Sequence, residues 1–172
     1  METSPIISRM SIRGHPIHPM VIHFPVALLL SLVATDLAYL WTGDNFWARG
    51  SLWLAGIGAL GGWVSGLVGM VDLLVVPRVR HLITAWCHAI MAVMLLSLAS
   101  LNWLLRVEEM AAMIMPWGLL VSLLSALMIA ITSYFGGQLV YEHAVGVDLE
   151  EAARHHRRFT ESTARLRLPA PD

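Results

Sequence analysis

Eight histidines stand in a chain of 172 residues. Neutral imidazole is a good ligand for haem iron and for borderline transition metals. Their placement narrows the chemistry. His15, His18 and His23 open the first long apolar run, His81 and His88 open the third, and His143 follows the last. His155 and His156 sit in a polar tail. Asp72 closes the second run, and Gln138, Tyr141 and Glu142 surround the end of the fourth. A haem site and a metal site are both within reach of these side chains. His23 and His88 are the pair expected to bind a haem. His15, His18, Asp72, His81, Glu142 and His143 are the nitrogen and oxygen donors available to a transition metal. No nucleophile with a base and an orienting partner is visible, so catalysis is not expected.

The elements that carry these residues are set by composition. Hydrophobic residues make up 57 % of the chain and charged residues 13 %, against about 25 % charged in a soluble domain. A helix crosses a bilayer core of about 30 Å with about 20 apolar residues. Four stretches meet that length, near residues 20–41, 51–76, 82–105 and 116–140. Pro19 and Pro116 suit a first helical turn, where a missing N–H costs nothing. The linkers at Gly43-Asp44-Asn45, Pro77 to Arg80 and Arg106 to Glu109 are short, so neighbouring helices run antiparallel. The expected fold is an all-α integral membrane bundle of four helices, up-down-up-down. Residues 1–147 form that domain, and 148–172 form a polar tail whose Asp148 and Glu151 suggest a capped helix start.

Arginine gives the orientation. All eleven basic residues are arginine, and nine of them fall on the side of the termini and the second linker. Arg49 and Arg106 are the two on the other side. The asymmetry places both termini in the cytoplasm of a bacterial inner membrane. Trp41, Trp47, Trp103 and Trp117 gather at the opposite surface, as an interfacial belt does. The single cysteine, Cys87, excludes an internal disulfide, and the first span lacks a cleavage pattern and reads as a retained anchor. A net charge of −1 gives no reason to expect nucleic-acid binding.

Depth separates the histidines. His23 lies about 6 Å of helix rise inside Pro19, and His88 about 9 Å inside His81. Both are expected within the bundle, facing each other from the diagonal first and third helices. Taken singly, His15, His18, His81 and His143 suit structural roles as well as ligation. Each ring in the bundle then needs an acceptor for its second nitrogen, and Asp72 or a helix carbonyl can supply it. Asp36, deep in the first span, faces away from His23 and can pair with Arg106 or Arg49. On the second span Gly58, Gly62, Ser65, Gly66, Gly69 and Asp72 share one face at 100° per residue. Such a smooth stripe serves close helix packing, or a flat cofactor lying against it.

His15-Pro16-Ile17-His18-Pro19, the Gly-rich second span with Asp72, His88, and Gly136-Gly137-Gln138-Leu139-Val140-Tyr141-Glu142-His143 together resemble one family. It is the bacterial membrane family catalogued as domain of unknown function 2231. The resemblance covers roughly Gly14 to Val147. The family usually carries glycine after the last histidine, where this chain has Ala144. Some relatives are fused to Rieske iron–sulfur domains, which implies a redox setting. The Cys-x-His ligand pairs of such a domain are not in this chain.

Three functions remain open from the sequence. The first is a b-type haem protein, an electron-transfer component with a redox partner protein. It would hold one haem at most, because Asn102 stands where a second histidine would be needed. The second is a metal-ion-binding or metal-transporting membrane protein. The third is a non-catalytic membrane subunit or anchor.

Overall fold

The structure is a computed structural model, and it describes residues 6–147 together with Arg154, Arg157, Arg158 and Phe159. The capped start expected at Asp148 and Glu151, and His155 and His156, lie outside the described residues.

Four helices are long and apolar enough to cross a membrane. α1 spans Ile17–Thr42, α2 Asn45–Val75, α4 Ile83–Glu108 and α5 Leu119–Tyr141, with a single turn, α3, at Pro77–Arg80 between α2 and α4. α5 is preceded by a wide turn, Ile114–Gly118, that holds Pro116. α1 lies against α2 and α5, and α4 lies against the same two, so α1 and α4 are diagonal. The chain is an all-α, multi-pass membrane bundle, as its composition predicts.

The helix ends have local causes. Gly43 takes φ 68° and returns its N–H to the Tyr39 carbonyl at 2.8 Å, which stops α1. Asp44 then caps α2 by accepting the Phe46 N–H at 2.8 Å. That cap explains why α2 begins at Asn45 rather than near residue 51. Its 31 residues cover about 46 Å of rise, more than the bilayer core needs. α1 also starts earlier than expected. Pro16 is its extended N-cap, and the Ile17 N–H donates to the Met10 carbonyl at 2.9 Å. His18 is therefore helical even though a proline follows it, while His15 stays extended in a small hairpin, β1 (Ser11–Ile12) with β2 (His15–Pro16).

The second-span stripe faces inward. A Cβ at Gly58 would stand 2.9 Å from Leu29 Cδ2, and one at Gly62 would run into Leu96 Cδ2. One at Gly66 would meet Leu96 Cδ1 at an ordinary 3.5 Å. The stripe is thus tight at Gly58 and Gly62 and looser at Gly66. Gly62→Leu should destabilise the protein by about 1–3 kcal/mol through overpacking, and Gly66→Ala should be close to neutral. Thermal unfolding in detergent checks this, and equal melting for wild type and Gly62→Leu would contradict the packing.

Between the bundle's two ends lies an apolar plug of Leu29, Ala59, Leu95, Ala99, Met128 and Ile129. On the far side from the termini, all four membrane helices meet in a polar clasp. Arg106 binds Asp36 through both guanidinium nitrogens, at 2.6 and 2.8 Å. Arg106 Nε donates to Asn102 Oδ1 at 2.9 Å, and Asn102 Nδ2 to Ser122 Oγ at 2.9 Å. Ser51 donates to Asp36 Oδ1 at 2.7 Å. The five side chains are fully buried. A charge in this setting survives only when paired and hydrogen-bonded, which the bidentate geometry achieves. Of the two arginines expected as partners for Asp36, Arg106 is the one it meets, while Arg49 is exposed.

Candidate functional site

On the termini side of the plug the helices part around a cavity of about 500 Å³ with a mainly apolar wall. His18 of α1 and His88 of α4 both line it. Their ring centroids are 6.2 Å apart and their planes are nearly perpendicular, at 85°. Each ring is fixed by its own helix neighbour. His18 Nδ1 is 2.8 Å from the Ser65 carbonyl on α2, and His88 Nδ1 is 3.0 Å from the Thr132 carbonyl on α5. A carbonyl oxygen only accepts, so each Nδ1 carries the hydrogen and each Nε2 keeps its lone pair. Among the described residues no hydrogen bond reaches either Nε2. Both residues therefore line one cavity and keep one ring nitrogen without a hydrogen-bond partner among the described residues.

The other diagonal supplies room. Gly69 of α2 stands where a Cβ would come within 3.1 Å of the His18 ring, and Gly136 of α5 where one would come within 3.2 Å of His88. Gly62, Gly66 and Gly137 also line the cavity. So histidines occupy the α1–α4 diagonal, and glycines the α2–α5 diagonal. Thr132 adds a buried hydroxyl on the wall, and among the described residues its Oγ1 has no hydrogen-bond partner.

The floor is closed by the chain's first described residues. Asp72 accepts from Ser8 Oγ at 2.5 Å and from the backbone N–H groups of Arg9 and Met10 at 2.7 and 3.2 Å. Ile6 is buried against Leu73, Val76, Val79 and Ala85. Its N–H donates to the Ala144 carbonyl at 3.2 Å, and its carbonyl accepts from the Gly146 N–H at 2.7 Å. The segment from Ile6 to Pro16 thus straps the bundle's end.

These positions revise the sequence reading. His18, and not His23, is the ring that meets His88. His23 lies five residues further along α1, about 140° around the helix, and is exposed beside the cavity. The physical reason is the early start of α1, which draws His18 into the bundle. Asp72 is occupied by the strap, and helix carbonyls serve the two rings instead. His81 caps α3, outside α4, and is exposed, so it does not share a helix face with His88. His15 is exposed in the hairpin with Nδ1 3.0 Å from the Arg13 carbonyl. Glu142 is exposed beside Gln138 Nε2 at 3.3 Å, and His143 is half-buried in the turn after α5. Among the described residues no three His, Cys, Asp or Glu side chains gather where they could hold one metal ion. The sequence reading missed Ser65 and Thr132, because their contribution is a backbone carbonyl, which no residue type advertises.

Fold and site define a multi-pass membrane bundle with a paired-histidine cavity in one half and a buried ionic clasp in the other. The chain belongs to the family described as Predicted membrane protein (DUF2231), which it matches over residues 14–149. That agrees with the resemblance carried by the His-Pro pair and the closing Tyr-x-His. No curated protein and no solved structure matches the chain. Ala144, at the family's usual glycine, takes φ 51°. A residue with a Cβ adopts that left-handed backbone at a cost of about 1–2 kcal/mol, and the close approach of Ile6 is made all the same.

Proposed function

We propose that this protein is a b-type haem protein of the bacterial inner membrane, with His18 and His88 as the two axial ligands, and that it passes electrons to or from a redox partner. The observation that carries the reading is the ring separation. Two imidazoles on opposite sides of one iron, with metal–nitrogen bonds of about 2.0–2.1 Å and roughly 1.1 Å from nitrogen to ring centre, have centroids about 6.3 Å apart. The rings here stand 6.2 Å apart. The free Nε2 atoms support the same reading, as do Gly69 and Gly136, which let the two rings lie close against α2 and α5. Haem bound here supplies one-electron chemistry. The chain's own part is to fix both rings through the Ser65 and Thr132 carbonyls, which raises their basicity as ligands. The mainly apolar wall suits an apolar macrocycle.

A bare transition metal fits less well. Zinc takes four ligands and a macrocycle brings its own, whereas this cavity offers a histidine pair. The absorption spectrum of protein purified under mild conditions, oxidised and then reduced, tests the reading. A Soret band with sharp bands on reduction is expected. Neither haem nor metal in the purified chain would leave the packing subunit or anchor as its function.

The orientation belongs to the same reading, with both termini and the haem half on the cytoplasmic side, because arginine crowds that end. Reporter fusions after Asp44, Arg80, Glu109 and Asp172 check it. Cytoplasmic signals are expected at Arg80 and Asp172, and an external signal at Asp172 would reverse the assignment.

A further inference from the structure

His23 is not used by the pair. It is an ionisable side chain inside a transmembrane helix, exposed and on the wall of the cavity. Such groups are costly in lipid and persist where they serve a polar partner. The seams between helices show what lies beside it. Around the cavity half, α1 is tied to α2 by His18 and Ser65, and α4 to α5 by His88 and Thr132. Trp63 Nε1 donates to Ser100 Oγ at 3.0 Å and ties α2 to α4. Among the described residues no side-chain hydrogen bond crosses the α1–α5 seam here, where the tie between Asp36 and Ser122 belongs to the far end. Pro19 and His23 on α1 and Ser133 on α5 line the cavity and are exposed. α1 and α5 are both long and apolar enough to cross a membrane, so the outer side of this seam would face the bilayer.

We propose that the α1–α5 seam is a lateral gate through which a lipid-soluble quinol reaches the cavity, its headgroup hydroxyl bonded to His23. The proposal rests on the haem reading for its electron acceptor. A neutral imidazole offers one nitrogen to accept an O–H and one N–H to donate, and Ser133 adds a hydroxyl from the facing helix. A quinol suits the geometry because it is apolar enough to arrive through lipid and carries hydroxyl groups that need a partner there. One quinol becomes one quinone by breaking two O–H bonds. Its two electrons would go one each to the haems that His18 and His88 would hold in two protein molecules. In each of those molecules His23 would take one of the two protons.

The test uses the full chain in lipid nanodiscs under anaerobic conditions. Decylubiquinol should reduce the haem of wild type. In His23→Ala the rate should fall about tenfold or more, the loss expected for one net hydrogen bond, while the oxidised spectrum and reduction by dithionite stay as in wild type. His23→Gln should recover part of the rate. Ser133→Trp, which fills the seam, should slow decylubiquinol and leave dithionite unaffected. Calorimetric titration of haem-free protein with decylubiquinone reads the gate without the haem, and His23→Ala should weaken that binding by a similar factor. Equal quinol rates in wild type, His23→Ala and Ser133→Trp would overturn the proposal, as would wild type that dithionite reduces and decylubiquinol does not. If dithionite reveals no haem in wild type, the haem reading fails instead, and the titration alone decides the gate: absence of quinone binding overturns it.

Discussion

His18→Ala and His88→Ala should each remove the haem spectrum, with the protein still inserted and monodisperse in detergent. Loss of an outer partner to a metal ligand costs about 10–100-fold in affinity, and loss of the ligand itself should cost more. His23→Ala should keep full haem content, which separates it from the pair. Ser65→Ala is a second control. It deletes the hydroxyl 3.1 Å from His18 Nδ1 but keeps the carbonyl at 2.8 Å, so binding should survive. The measurement is haem per chain by pyridine haemochrome for each purified variant. Retention of haem by both His18→Ala and His88→Ala would sink the axial assignment, whatever the wild type binds.

The second large effect lies at the other end. Arg106→Leu or Asp36→Leu should destabilise the bundle by about 3–5 kcal/mol, because each leaves an uncompensated charge in a buried site. The double variant should recover most of that loss, since two apolar side chains leave no orphaned charge. Unfolding in mixed detergent, followed by tryptophan fluorescence, reads both. Single variants as stable as wild type, or a double variant as unstable as the worse single one, would show that the pair is not what holds this end.

The spans were legible because apolar runs of the right length have few alternatives once charge is scarce. Asp36 with Arg106 was legible for a related reason: a carboxylate so deep in a span has few cations at its level. His88 could be placed by depth alone. The choice between His18 and His23 could not. It turns on where α1 begins, and that depends on the Ile17 N–H reaching the Met10 carbonyl across a hairpin. A start three residues earlier than expected moves the inward histidine to one about 140° away. The strap was equally hidden. Its contacts to Asp72 are mostly backbone N–H groups, and residues 6–13 carry no helical or strand period. Pro25, buried inside α1 against Gly61 and Gly62, also went unmarked.

The ionic clasp bears on how the chain is made. Asp36 and Arg106 are 70 residues apart. At about 5–20 residues per second, ribosomal synthesis separates them by roughly 4–14 s. For that interval α1 exists without the cation that its carboxylate meets in the finished bundle. Ser51, 15 residues after Asp36, is the first of its partners to be translated, and Ser122 is the last, 86 residues on. The order in which these five side chains leave the ribosome makes α1 and α2 a waiting hairpin. The far end locks only when α4 and then α5 are delivered beside it.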